Sequence, residues 1–223
     1  MTDNKMRTEI LTIDKGQCLT DVLPAIPANT IFDKTITGCG ATHSEIVNAA
    51  RHSIIIEPNI PVILGKKAEH PFLFAVYEGI TKEDVKAYLA GEHDGYRKII
   101  TTPEGFDKKV LPAMHELEIP VYKDYFLLFD ECEKAIQDVG YRGDIYLPVE
   151  DFFKFENKAM VSATPIVPSD PRFEENGFKI LKLVPTYDSR IELTLCTTNN
   201  TVAVMRKLLK RLENPIAVME NCN

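Results

Sequence analysis

Three short stretches hold residue types that could do chemistry together. Thr37-Gly38-Cys39-Gly40-Ala41-Thr42 is a loop of small residues set between an apolar strand pattern and a helical one. Strand, glycine loop and helix in that order present main-chain N–H groups to a phosphate. Asp130 and Glu131 follow the apolar run Phe126-Leu127-Leu128-Phe129 with no spacer, and Glu133 comes two residues later. Acids at the carboxyl end of a buried strand sit where open α/β sheets bind their ligands. Ser162-Ala163-Thr164-Pro165 closes another apolar run. Each stretch also has a plainer reading. Asp130 could begin a surface turn or cap a helix. Gly38 and Gly40 could only make a turn, and Ser162 and Thr164 could be ordinary strand-end residues.

The elements that must position these residues follow from apolar patterning. Short unbroken apolar runs suit strands buried on both faces, as in a parallel sheet. Such runs are Ile31 to Ile36, Ser53 to Glu57, Lys98 to Thr101, Phe126 to Phe129, Ala159 to Ala163 and Phe178 to Val184, and Glu9 to Ile13 could form an edge strand. Between them lie helical patterns. One runs from Thr42 to about Arg51, with Ile46, Val47 and Ala50 expected to face inward. A weaker one covers Val62 to Leu73. A third begins at the capping box Thr81-Lys82-Glu83-Asp84 and ends at Gly91. Phe106 to Leu117, Lys134 to Val139 and Val149 to Phe155 complete the set. Strands alternating with helices imply βαβ units and a mostly parallel sheet. After Pro185 the pattern changes: Ile191 to Cys196 reads as a strand, Val202 to Leu212 as an amphipathic helix, and Ile216 to Met219 as the opening of another strand.

Composition narrows the function classes. The 223 residues are 44% apolar and 26% charged, enough to bury a core. A net charge of −7 argues against a general polyanion-binding surface, so a nucleic-acid partner would need a local basic stripe. The five cysteines are far apart with no CxxC pair, which reads as reduced thiols and not a disulfide frame or a zinc site. His43, His52, His70, His93 and His115 lack metal-ligand spacing. No apolar stretch approaches membrane-spanning length and no signal-peptide core is present, so a cytoplasmic protein with no membrane partner is expected.

In their order and spacing, TGCGAT, DECE and SATP resemble motifs I, II and III of superfamily 2 helicases, the DEAD/DEAH-like nucleic-acid-dependent ATPases. Ile54 to Val62 lies where those enzymes carry motif Ia, and Ile100 to Gly105 resembles motif Ib. The resemblance implies a RecA-like (P-loop NTPase) three-layer α/β domain over residues 1–185, with residues 186–223 a linker and the start of a second RecA-like domain that continues beyond residue 223. It implies ATP and Mg²⁺ as cofactors and single-stranded DNA or RNA as partner. Thr37, Gly38, Cys39, Gly40, Ala41 and Thr42 would wrap the phosphates. Thr42 and Asp130 would hold Mg²⁺, the latter mostly through water. Glu131 would orient the attacking water. Ser162 and Thr164 would bond toward the acidic pair and couple nucleotide state to strand grip. Pro58, Asn59, Thr101, Thr102 and Pro103 would line the nucleic-acid groove.

One departure from the pattern bears on activity. The motif I pattern GxxxxGK[ST] falls with its first glycine at position 35 and its lysine at position 41, and these are Thr35 and Ala41. That lysine normally reaches the β and γ phosphates. Lys34 lies just upstream, but it would have to enter from the strand side and is not expected to take over. Three functions therefore stand side by side: a helicase-type NTP hydrolase; a degenerate P-loop module that binds nucleic acid or a partner protein without turnover; and an unrelated doubly wound enzyme whose acids at 130–133 bind a metal.

Overall fold

The computed structural model describes residues 6–36, 38–131, 149–164, 170–189 and 197–210. Eight strands are described: β1 (Thr8–Ile13), β2 (Thr30–Asp33), β3 (His52–Ile56), β4 (Phe74–Val76), β5 (Lys98–Thr101), β6 (Tyr125–Asp130), β7 (Asn157–Ser162) and β8 (Lys179–Pro185). They form one sheet in the order β1-β8-β2-β7-β6-β3-β5-β4, and every pairing is parallel. Helices cover both faces, so the architecture is α/β and compatible with a RecA-like three-layer domain. The chain divides into two compact units after Asp188. The second contains the helix Thr201–Leu209. No helix among the described residues is long and apolar enough to cross a membrane.

Strand alternation builds two cores from one sheet. In β6 all six residues of YFLLFD are buried, as expected of a central parallel strand. Phe126 and Leu128 point to one face, Leu127 and Phe129 to the other. The first face receives α1 (Leu19–Val22), α2 (Ala41–Val47) and α3 (Ile60–Glu69) through Leu19, Ile46 and Ile63. The second receives α4 (Lys82–Ala90), the π-helical turn Phe106–Val110 and Leu111–Glu116, with Phe152 and Phe173 closing it. Thr81 caps α4 by accepting the Asp84 N–H while the Asp84 carboxylate accepts the Thr81 N–H, and Gly91 ends the helix.

Some elements differ from the sequence pattern, each for a local reason. The sheet is wholly parallel, because the edge strand β1 also runs parallel to its neighbour β8. α2 stops at Val47, where Asn48 leaves helical backbone angles, so Val47 is 42% exposed and Ala50 is exposed too. The buried positions of α2 are Ala41, Ser44, Glu45 and Ile46. The pattern around Val62 to Leu73 ends at Glu69, and Phe74–Val76 is instead a short strand. The expected helix 134–139 and the expected strands 191–196 and 216–219 lie outside the described residues.

A buried ionic cluster locks the rear of α2 to the sheet. Glu45 is fully buried, and its carboxylate accepts bonds from the Arg51 guanidinium (Nε at 3.0 Å) and the Ser53 hydroxyl. Lys98 Nζ donates to Ser53 Oγ at 2.8 Å and lies 3.7 Å from Glu45. Burial lowers the Lys98 pKa to about 8 despite the pull of Glu45. Arg51 also stacks on Phe126, 3.4 Å from its ring centre, and donates to the Ile26 carbonyl. Removing one partner of a buried pair strands the other charge. Glu45→Ala should therefore cost about 3–5 kcal/mol in urea unfolding. Lys82→Ala, which breaks an exposed pair with Glu116, should cost under about 1 kcal/mol. Equal losses from the two variants would refute this division.

Candidate functional site

Parallel strands deliver the candidate residues to one rim. β2, β7 and β6 end side by side, with Asp33 in register with Ser162 and Val161 in register with Asp130. The loop after β2 and the acids after β6 thus border one cleft of about 330 Å³. Gly38, Gly40 and Thr42 form its near wall, Asp130 and Glu131 its floor, and Asn59 and Lys66 part of its far wall.

The loop is shaped by glycine and held by cysteine. Gly38 and Gly40 have φ of +74° and +89°, a region that costs other L-residues roughly 1–2 kcal/mol. Cys39 between them is buried in the core, and its carbonyl accepts the Leu19 N–H at 3.1 Å. Burial raises the pKa of its thiol, which marks it as an anchor and not a nucleophile. Thr35 stands where the motif I pattern has its first glycine. It also takes a left-handed conformation, φ +42°, with its hydroxyl donating to the Leu183 carbonyl.

The acids meet the loop directly. Thr42 Oγ1 donates to Asp130 Oδ2, while Asp130 Oδ1 accepts the Glu131 N–H at 3.0 Å. Glu131 has φ +51°, which turns the chain sharply out of β6. Lys34 completes the cluster: its Nζ lies 3.2 Å from Asp130 Oδ1 and 2.9 Å from Glu131 Oε1, with the side chain only 10% exposed. Burial alone would lower the Lys34 pKa. Asp130 and Glu131 more than offset this and hold it well above the usual lysine range. Lys34 reaches the acids because side chains alternate along a strand. Phe32 faces the α2 side of the sheet, so Lys34, two residues on, faces that side too. Its own N–H donates to the Ser162 carbonyl at 2.9 Å, continuing the β2–β7 ladder.

The other predicted residues are spread more widely. Ala41 opens α2 and is buried against the core. Ser162 is fully buried, and its Oγ accepts the N–H of the exposed Thr164 at 2.9 Å. Asp130 takes its described bonds from Lys34, Thr42 and Glu131, so the Ser-Ala-Thr corner meets the site through the Lys34 main chain. Thr101, Thr102 and Pro103 are buried, and Thr102 Oγ1 caps the next helical turn by accepting the Gly105 N–H. Of the proposed groove residues only Pro58 and Asn59 are partly accessible. Thr37, Cys132, Glu133 and Pro165 lie outside the described residues.

Glu57 falls within the Ile54 to Val62 stretch but is not among the predicted site residues, yet it lines the same cleft at 1% exposure. The signal was present: an acid directly after the apolar run Ile54 to Ile56, as at Asp130. Its Oε1 accepts the Asn59 N–H (2.8 Å) and Nδ2 (2.9 Å). Burial, and then the like charge of Asp130, push its pKa up to about 7 against the pull of those two donors.

The donor set suits a hard divalent cation. One carboxylate and one hydroxyl, with space beside them for water and phosphate oxygens, is how Mg²⁺ is commonly held. Among the described residues no group of three metal-ligating side chains exists, so an ion here would depend on its ligand for further oxygens. Compared with known proteins, the chain matches no family model and no curated protein sequence.

The raised Glu57 pKa has a testable consequence in the metal-free protein. The folded state holds this proton more tightly than the unfolded chain, whose value is near 4.5. The stability gained is complete below about pH 4.5 and is lost as pH rises through about 7, a span worth about 3 kcal/mol. Glu57→Gln should therefore gain stability relative to the unsubstituted protein between pH 5 and pH 8 in urea titrations. A pH-independent difference would refute the assignment.

Proposed function

We propose that this chain is a nucleotide-binding module of superfamily 2 helicase type, the first RecA-like motor domain of a nucleic-acid-dependent ATPase. The observation that carries the reading is the meeting of Thr42 with Asp130. The hydroxyl at the start of α2 and the carboxylate at the end of β6 come from residues 88 positions apart and share a hydrogen bond at the cleft. A generic parallel sheet has no need for that pairing. A shared metal–phosphate site would bring these two groups together, and this supports the reading.

In this reading the Gly38–Thr42 loop surrounds the phosphates, and Asp130 and Thr42 hold Mg²⁺, which would offset phosphate charge. Glu131 leaves β6 at the cleft floor, where its carboxylate can orient a water molecule against the terminal phosphate. The cleft volume is at the lower end for small-molecule sites and suits a polyphosphate with its ion, leaving the nucleoside outside. Turnover requires a second RecA-like domain to close over the nucleotide, so the chain alone is expected to bind ATP and to hydrolyse it poorly. A nucleic-acid strand would lie across the Pro58–Asn59 end of the sheet, gripped through sugar and phosphate.

Calorimetry with ATP, with and without Mg²⁺, tests the reading. Binding should require Mg²⁺ and should fall at least about tenfold in Asp130→Ala, as expected for loss of a charge-assisted ligand. Absence of any nucleotide binding, together with a metal response that Asp130→Ala abolishes, would favour a metal enzyme of another class.

A further inference from the structure

The loop that would wrap the phosphates has no cation at the position where its pattern has a lysine. Ala41 fills that position, and its methyl group packs into the core beneath α2. The cleft floor nevertheless holds an ammonium group. Lys34 Nζ borders the same space as Gly38, Gly40 and Thr42, and it is buried to the point where water screens it little. Its direction is fixed by the backbone on either side: the Lys34 N–H is tied to Ser162, and the left-handed Thr35 is tied to Leu183.

Electrostatics gives this ammonium a second task. Asp130, Glu131 and Glu57 surround the cleft with carboxyl groups and would repel a polyphosphate. A cation already at the floor offsets part of that repulsion. A divalent ion bound to Asp130 would release Lys34 from one of its two partners and leave two of its three N–H donors available to phosphate oxygens. A permanent clamp for the acids would need only the two contacts it has. It would not need to line the open cleft beside the glycine loop.

We propose that Lys34 is the phosphate-binding lysine of this site, supplied from the end of β2 in place of the residue missing at position 41. The proposal rests on the nucleotide-binding reading above and adds the group that grips the phosphates. Lys34 rests between Asp130 and Glu131 and turns to the β and γ phosphate oxygens when a metal–nucleotide complex enters. The glycine loop supplies shape and main-chain donors, and the strand supplies charge.

The test compares MgATP, MgADP, AMP and inorganic tripolyphosphate by calorimetry on the unsubstituted chain, Lys34→Met and Ala41→Lys. Circular dichroism and thermal melting without ligand establish that each variant is folded. Lys34→Met should weaken MgATP and tripolyphosphate binding at least about tenfold while leaving AMP nearly unchanged, because a hydrogen bond from a charged group to phosphate is lost. A purely structural ion pair would lower the melting temperature and leave the ratio of ATP to AMP affinity where it was. That result overturns the proposal and leaves the nucleotide-binding reading intact. Ala41→Lys keeps Lys34 and answers the same question from the other side. If Lys34 already grips the phosphates, a lysine at 41 adds little. A tenfold or greater gain in MgATP affinity would mean that the cation was absent, and would overturn the proposal. Failure of the unsubstituted chain to bind any of the polyphosphates overturns both readings together.

Discussion

Lys34 reaches past a whole strand to put its ammonium between Asp130 and Glu131, and much of the first unit has to be in order for that contact to exist. β2 and β6 are separated by β7, which places their axes about 10 Å apart. Only a long side chain directed along the sheet surface can cover that span. The contact therefore requires β7 to be inserted in register and β2 to end at Asp33. It also requires alternation to turn Lys34 to the α2 face. Lys34 and Asp130 are buried and Glu131 is partly so, and neither buried charge can be lost alone without leaving the other less compensated.

The walls of the cleft are held by means that do not involve charge at the cleft itself. Cys39 is sunk in the core and pinned by Leu19, while Glu45 fixes the other end of α2 through Arg51, Ser53 and Lys98. The helix between these anchors is only seven residues long, so its two ends are coupled closely. A loop gripped at both ends presents its donors with little entropy left to lose. Glu57 sits behind this scaffold, held by Asn59 from its own turn.

Most of the sheet is legible in the sequence because its central strands are short unbroken apolar runs. YFLLFD and SIII cannot hide half of their side chains in any other way. The α4 cap is legible because a Thr-x-x-Asp box is a local device that no tertiary contact has to supply. β4 is not, because three residues carry too little periodicity to separate them from the helix that precedes them. Apolar periodicity places Ile46 correctly on the inward face of α2 but misses Ser44 and Glu45, which are polar and whose burial depends on partners elsewhere in the fold. Lys34 is discounted by a motif read along the chain, which looks for its cation at position 41 and gives little weight to one entering from the strand side. Strand alternation, which puts Lys34 over the cleft, is a property of the sheet and not of the motif. Glu57 escapes for a similar reason, since one acid after an apolar run is common until a neighbouring strand brings a second beside it.

The edge pairing of β1 with β8 sets an order of events at the ribosome. Lys179 and Glu9, which join these strands, are 170 positions apart in the chain. During synthesis the N-terminal strand must wait for nearly the whole first unit to emerge before its partner exists, a delay on the order of ten seconds or more at ordinary elongation rates. Through that interval Ile10, Leu11 and Thr12 are without the ladder that Lys182, Leu183 and Val184 later supply. Premature pairing with another nascent chain is a standing hazard. The exposed Ile10 in the finished fold is a residue that such a mispairing would bury.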